Sequence, residues 1–446
     1  MKRLLLVSPH WLPASTPDLQ RIRLSLPHYR AHGWEPIVLG VDARDVEGAL
    51  EPELTPSVPA DIAVHRCRAL PVALTRRFGL GNLGWRCLPE LMATGERIIR
   101  RERIDLVMFS TTQFVTLLAA RTWRERTGVP YVVDLQDPWR TSDYELPGAP
   151  RPPGGRKYQF ARLVAWALEE ATFRHAAGFL SVSDIYLTTL RERYAWMRRR
   201  ASACIPFGAS PDDFALARRQ PRSPDEGLSR AAGEVHLVST GAAGPMLSGA
   251  VQRLFHAVRD FRKRQPTAAA RLRFHFIGSQ YAPAGAATCQ ILPVAATFGV
   301  EDLVTEVPHR IGYLAALRRQ EQADGLLLLG SHDPAYVPSK LAPYLISGRP
   351  LLALAAASGQ LQQRLDELGA GCAVPWSPAA PLDATVPEIS RFLEDALRGF
   401  APPGRWTPPV AAAHLHYGAA ALTAQQCRWF DQICPRSHAA SRHELT

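Results

Sequence analysis

The stretch Ala323–Leu354, ADGLLLLGSHDPAYVPSKLAPYLISGRPLLAL, decides the fold of this chain. Gly325–Leu329 and Pro350–Leu354 are short apolar runs bounded by Gly and Pro, the pattern of strands buried on both faces. Between them lie a polar loop, Gly330–Ser339, and a short amphipathic segment, Lys340–Ile346, closed by Gly348. Two buried strands joined through a helix form a βαβ unit, which belongs in a parallel sheet. In open sheets of this kind ligands gather at the carboxyl ends of the strands, where helix N-termini point N–H donors at anions. The loop therefore marks an anion site, with Ser339 expected to cap the helix and Lys340 to open it.

The same rhythm extends outward. Upstream come strands at Val235–Ser239, Leu272–Ile277 and Leu303–Val307, with helices over Ser248–Gln265, Gln290–Phe298 and Ile311–Gln322. Downstream, Gln360–Leu368 reads as a helix, Gly371–Val374 as a strand, Val386–Ala401 as a helix and Ala411–Ile433 as a final helix. The first half repeats the alternation. Strands are expected at Lys2–Ser8, Glu35–Gly40, Ile62–Arg66, Asp105–Phe109, Tyr131–Leu135, Gly178–Val182 and Ala203–Pro206. Helices are expected over Leu19–His32, Arg76–Arg103, Thr111–Arg126, Lys157–His175 and Ser183–Arg193, and Gly208–Phe214 reads as a turn. The polar stretch 217–232 is the expected linker, and the tail from 434 to 446 is expected to be disordered. The architecture that fits is α/β: two doubly wound, Rossmann-like domains, 1–216 and 233–408, facing across a cleft, with the final helix returning to the first. No GxGxxG dinucleotide fingerprint occurs.

The chain has 446 residues and a formal net charge of +11, compatible with an anionic partner. It lacks a nucleic-acid recognition module, so nucleic acid is not the indicated partner. Seven cysteines without a CxxC pair suggest neither a disulfide framework nor a zinc site, and no metal is expected. No run reaches the roughly 20 apolar residues that span a bilayer. The expected location is cytoplasmic. The basic segments Arg76–Arg103 and Arg191–Arg200 are candidates for peripheral contact with an anionic inner membrane. Asp134, Gln136 and Asp137 stand at the carboxyl end of one strand, positioned for ligand work, and Leu146–Gly155 is a Pro/Gly-rich loop beside them.

With these pieces in order, the chain resembles a GT-B glycosyltransferase of the family 4 type, the retaining nucleotide-sugar transferases. The resemblance rests on LLLVSPHWLP with Arg21, GWEPIVLG, TGVPYVVDLQDPW, SVSD followed by IPFGASPDDF, PSKLAPYLISGRPLLA and the final HYGAAALTAQQCRWFDQI. It implies sugar transfer from a nucleotide-sugar donor to a glycan or lipid-linked acceptor of cell-surface polysaccharide synthesis, with no metal or other cofactor. It places Asp137 and Gln136 at the reacting sugar, and Arg21 and Trp139 on the acceptor side. The donor would meet Gly241, Gly244, Arg253, Gly278, Ser339, Lys340 and Tyr344. The sequence departs from the family in holding Ala335 and Pro343 where many relatives carry a pair of Glu, and in lacking the Arg/Lys pair after the first strand of the second half. A catalytically inactive GT-B protein that binds a ligand or partner is the alternative.

Overall fold

The structure, a computed structural model, describes residues 1–140, 155–221, 228–280, 285–370, 372–401 and 404–435. Much of the loop 146–155, part of the linker and nearly all of the tail named above lie outside them. The chain divides into two units: Met1–Pro206 with Leu422–Thr446, and Phe207–Ala421.

The first unit is built on a seven-stranded sheet: β1 Lys2–Val7, β2 Trp34–Val41, β3 Ala63–Cys67, β4 Leu106–Ser110, β5 Tyr131–Leu135, β6 Gly178–Ser181 and β7 Ala201–Cys204. The order is β3-β2-β1-β4-β5-β6-β7, and every pairing is parallel. The central strands are buried on both faces, which is why they read as unbroken apolar runs. The connecting helices are α1 Gln20–Ser25, α2 Val72–Thr75, α3 Leu83–Glu102, α4 Leu117–Thr127, α5 Arg156–Phe173 and α6 Asp184–Arg193. The expected single helix over Leu19–His32 is broken after α1, where Pro27 has no N–H to donate to a helical carbonyl. The expected segment Arg76–Arg103 becomes α3, capped by Asn82, and turns Cys87, Leu91, Ile98 and Ile99 into the core.

The second unit carries α7 Pro211–Arg219, β8 Val235–Thr240, α8 Ser248–Arg264, α9 Pro266–Ala269, β9 Leu272–Ile277, α10 Leu292–Phe298, β10 Val304–Val307 and α11 Tyr313–Gln322. There follow β11 Gly325–Leu329, α12 Leu341–Ile346, β12 Leu351–Ala356, α13 Gln360–Glu367, β13 Ala373–Trp376, α14 Val386–Leu397, α15 Val410–Tyr417 and the first three residues of α16 Ala419–Ile433. Its six strands run in the order β10-β9-β8-β11-β12-β13, again all parallel.

Two segments depart from the sequence reading. Gly208–Phe214 opens a helix rather than forming only a turn. Ser210 accepts from the Asp212 N–H at 3.2 Å and Pro211 sits in the first turn, the usual start of a helix. That helix, α7, packs on α11, and Arg318 donates to the Ala217 carbonyl at 3.0 Å, so the unit boundary falls at Pro206 rather than after 216 and Ala217–Arg219 is not linker. The expected single C-terminal helix is two, α15 and α16, parted at Gly418. The Ala209 N–H donates to the Tyr417 carbonyl, and the Ala419 N–H to the Ala209 carbonyl. A Cβ on Gly418 would lie 2.3 Å from the His414 carbonyl, so only glycine fits this break. From Leu422 onward α16 belongs to the first unit. There Phe430 meets the Trp34 ring edge-on at 5.6 Å, and Gln426 bonds Tyr29 Oη and Ser25 Oγ.

Candidate functional site

In each sheet the connections run one way from a central strand and the other way from its neighbour: β1 and β4 in the first unit, β8 and β11 in the second. The crevice at such a reversal, at the carboxyl ends of the strands, is where doubly wound folds bind ligands. Several of the sequence-selected residues fall near these two places, in different electrostatic states.

In the first unit Asp134, at the end of β5, is wholly buried. Its Oδ2 accepts from Arg21 Nε at 2.8 Å, Ser110 Oγ at 2.7 Å and Gln136 Nε2 at 3.2 Å, while Oδ1 has no partner among the described residues. The Arg21 guanidinium also donates to the carbonyls of Ile205 at 2.8 Å and Pro206 at 3.3 Å. Gln136 donates further to the Asp18 carbonyl at 2.9 Å and to Ser110 Oγ at 2.8 Å. Arg21 and Gln136 are therefore held inside the fold. Their expected roles at the acceptor and the reacting sugar do not fit this geometry, because the donors that would serve a ligand are already engaged. Trp139 is half-buried, stacks on Phe114 at 5.3 Å and packs against the core.

Asp137 differs. It is exposed at the end of β5, and the surrounding protein together with the Asp18 charge pushes its carboxyl up to about 6. Beside it lies a pair that sequence reasoning did not select. His10 Nδ1 meets Asp18 Oδ2 at 3.0 Å. Asp18 is buried and is also bonded by Thr16 Oγ1 at 2.5 Å and by the Thr112 N–H at 3.4 Å. Burial pushes the Asp18 carboxyl upward, but the hydrogen bonds and charge of His10, with those of Thr16 and Thr112, hold it below its ordinary value. A His directly after a first strand and an Asp opening the next helix were the available signals.

In the second unit β8 ends in Thr240, whose N–H donates to the buried Tyr344 Oη at 2.7 Å. Tyr344 is wholly buried, and its hydroxyl holds this strand end. Gly241 follows with φ +88°, a backbone turn that glycine adopts without strain. A Cβ there would stand 3.9 Å from Lys340 Nζ. That Nζ is buried and has no hydrogen-bond partner among the described residues, and burial lowers the Lys340 pKa to about 8. Gly278, with φ +73°, ends β9 next to Gly241. Gly244 leads to α8, a helix of 17 residues whose N-terminus carries no side-chain cap. Gly241, Gly278 and Lys340 are thus brought together.

Arg253 and Ser339 are not used as expected. Arg253 is buried, donates to the carbonyls of Ser377 at 2.7 Å and Ala380 at 2.6 Å, and lies over the Trp376 ring at 4.6 Å. It ties α8 to the end of β13. Lys340, not Ser339, is the N-cap of α12, and no side chain caps that helix. Ala335 lies in the loop after β11, and Pro343 is buried inside α12. Among the described residues no group of three or more His, Cys, Asp or Glu could hold a metal ion. All seven cysteines are free thiols.

Comparison with known proteins fits this layout. Residues 20–208 match the family described as glycosyl transferase 4-like domain. Anabaena HepE, solved with UDP and glucose, is 16% identical, with a TM-score of 0.58 over 97% of this chain and 100% of that one. The same protein with UDP-glucose gives the same identity and score. The N-terminal domain of a Candida albicans trehalose-6-phosphate phosphatase is 12% identical, with a TM-score of 0.57 over 97% of each chain. No curated protein matches the sequence. The chain has the GT-B fold, and residues 20–208 form a divergent glycosyltransferase family 4-like domain.

Proposed function

We propose that this protein transfers a sugar from a nucleotide-sugar donor to a glycan or lipid-linked acceptor, with retention of anomeric configuration. The observation that carries the reading is the Lys340 ammonium, buried and unpartnered beside Gly241. A buried charge without a counter-charge is costly, and a diphosphate placed there supplies one. Gly241 and Gly278 let the ligand approach the backbone closely, and the uncapped amides of α8 add donors aimed at an anion. As the bond between the anomeric carbon and the diphosphate oxygen breaks, negative charge grows on the leaving diphosphate. Cations fixed there stabilise the transition state more than the ground state. The diphosphate charge is met in this reading by Lys340 and helix amides, without a metal ion. Asp137, exposed and with its carboxyl raised, is the group in the first unit suited to orient a sugar hydroxyl.

The test is thermal denaturation with UDP, GDP, ADP, CMP and their sugar conjugates. A ligand that binds the folded chain raises its melting temperature by mass action. One nucleotide diphosphate is expected to do so, and Lys340→Ala is expected to abolish the shift. No shift with any of them would leave the non-catalytic alternative, to which Ala335 and Pro343 at the expected Glu positions already point. A donor that binds but is never turned over would establish it.

A further inference from the structure

A groove of about 1100 Å³ runs outward from the strand ends of the first unit. Thr112, which bonds Asp18, lines one end, and Trp85, Phe114 and Trp139 form part of its wall. Its outer rim is apolar and exposed. On α5, Phe160 is 43% exposed, Leu163 62% and Trp166 65%, while Ala165, Glu169, Thr172 and Phe173 on the other side of that helix are buried. Across the groove, next to α2, Phe78 is 79% exposed, with Leu74 and Leu70 also in solvent. Single exposed apolar residues are common, but a cluster of this kind on two neighbouring elements marks a contact surface.

The charge around the rim says what kind. Arg76, Arg140, Lys157, Arg162 and Arg193 line the groove, and among the described residues no Asp or Glu does. Glu169 meets Arg193 and Glu47 meets Arg76, but Lys157 has no partner among the described residues, and Arg77 projects beside Phe78 without one. Large apolar side chains with Trp among them, ringed by cations, form the pattern of a surface that rests in the headgroup region of a bilayer. A protein partner of matching chemistry would need an apolar face ringed by carboxylates, and an anionic bilayer presents that combination everywhere on its surface.

We propose that this rim docks on an anionic lipid bilayer, with Phe78, Leu163 and Trp166 entering the headgroup region and Arg77 and Lys157 meeting lipid phosphates. Of the basic segment Arg76–Arg103, the helical part α3 turns Cys87, Leu91, Ile98 and Ile99 into the core. Arg77 and Phe78, ahead of α3, join α5 in the docking surface. It places the mouth of the groove at the membrane surface. The proposal stands without the glycosyl-transfer reading, because vesicle binding and nucleotide binding are measured separately.

The test is co-sedimentation of the full chain with vesicles of phosphatidylcholine alone and of phosphatidylcholine with about one third phosphatidylglycerol. Binding to the mixed vesicles is expected to be about tenfold stronger and to fall steeply when salt is raised to about 0.5 M. The double variant Leu163→Ser/Trp166→Ser, which changes no charge, is expected to lose about tenfold at an unchanged melting temperature. Should that variant melt early, Arg77→Glu/Lys157→Glu, altering two exposed side chains, reads the same surface. Binding indifferent to phosphatidylglycerol, or unaffected by both double variants, overturns the proposal. So does light scattering that shows a lipid-free dimer dissociated by Leu163→Ser/Trp166→Ser, which would make the rim a self-association face.

Discussion

The strand-end crevice between β1 and β4 and the one between β8 and β11 share a topology and differ in how their charges are satisfied. In the first unit two buried carboxylates are bonded to surrounding residues: Asp134, through Oδ2, by Arg21, Ser110 and Gln136, and Asp18 by His10, Thr16 and Thr112. In the second unit the buried Lys340 ammonium has no partner among the described residues. A satisfied network holds backbone segments together and is expensive to break; an unsatisfied charge is expensive to keep and gains most from a ligand. The same kind of crevice therefore serves as a clasp in one unit and as a candidate anion seat in the other.

Breaking the clasp is the largest expected effect. Arg21→Met leaves Asp134 buried and uncompensated, and should cost about 3–5 kcal/mol in urea unfolding of the first unit. A loss below about 1 kcal/mol would erase the contrast. Tyr344→Phe orphans the Thr240 N–H at the second site and should cost about 1–3 kcal/mol. The same substitution should weaken nucleotide binding by moving Gly241. Lys340→Met is expected to act in the opposite sense on stability, leaving the melting temperature equal or higher while nucleotide diphosphate binding falls at least about tenfold. A clear loss of stability would show that Lys340 has a structural role.

Proton linkage sharpens the contrast further. The folded-state pKa of Lys340, about 8, lies below its ordinary value of 10.5, so between these two the unfolded chain binds more protons. The stability penalty is thus fully present below pH 8 and is relieved as pH rises toward 10.5. Binding of a diphosphate should weaken over that range as the ammonium is lost, and Lys340→Met should flatten the profile in calorimetric titration. The smallest effect is at Asp137, whose folded pKa of about 6 lies above the ordinary 3.8. Here the folded chain holds more protons between those values, so stability declines slightly as pH rises from 3.8 to 6. Asp137→Asn should remove that slope and any activity inflection near pH 6. An unchanged activity profile would remove Asp137 from the reacting centre.

Much of this fold was legible because a strand buried on both faces must be apolar throughout. Gly325–Leu329 coincides with β11, and the paired runs on either side of Lys340 became neighbouring parallel strands. Boundaries slipped where one residue redirects the backbone: Pro27 ended a helix early, Ser210 and Pro211 started one, and Gly418 split one. The anion site was legible only in part. Lys340 stood out as a cation after a strand-end loop, and Gly241 as a glycine after a strand. Arg253 and Arg21 looked equally available in sequence, yet each is engaged by carbonyls distant along the chain. His10 and Asp18 passed unnoticed because nothing local pairs them; the loop after β1 does.

The sequence by itself determined the two parallel sheets, since hydrophobic run length and the placing of Gly and Pro follow from burial and backbone geometry at each position. Tertiary structure alone decided which charges are engaged and which are left for a ligand. Pairing depends on partners far along the chain, and a basic residue carries the same formal charge in sequence whether its hydrogen bonds are already made or still open.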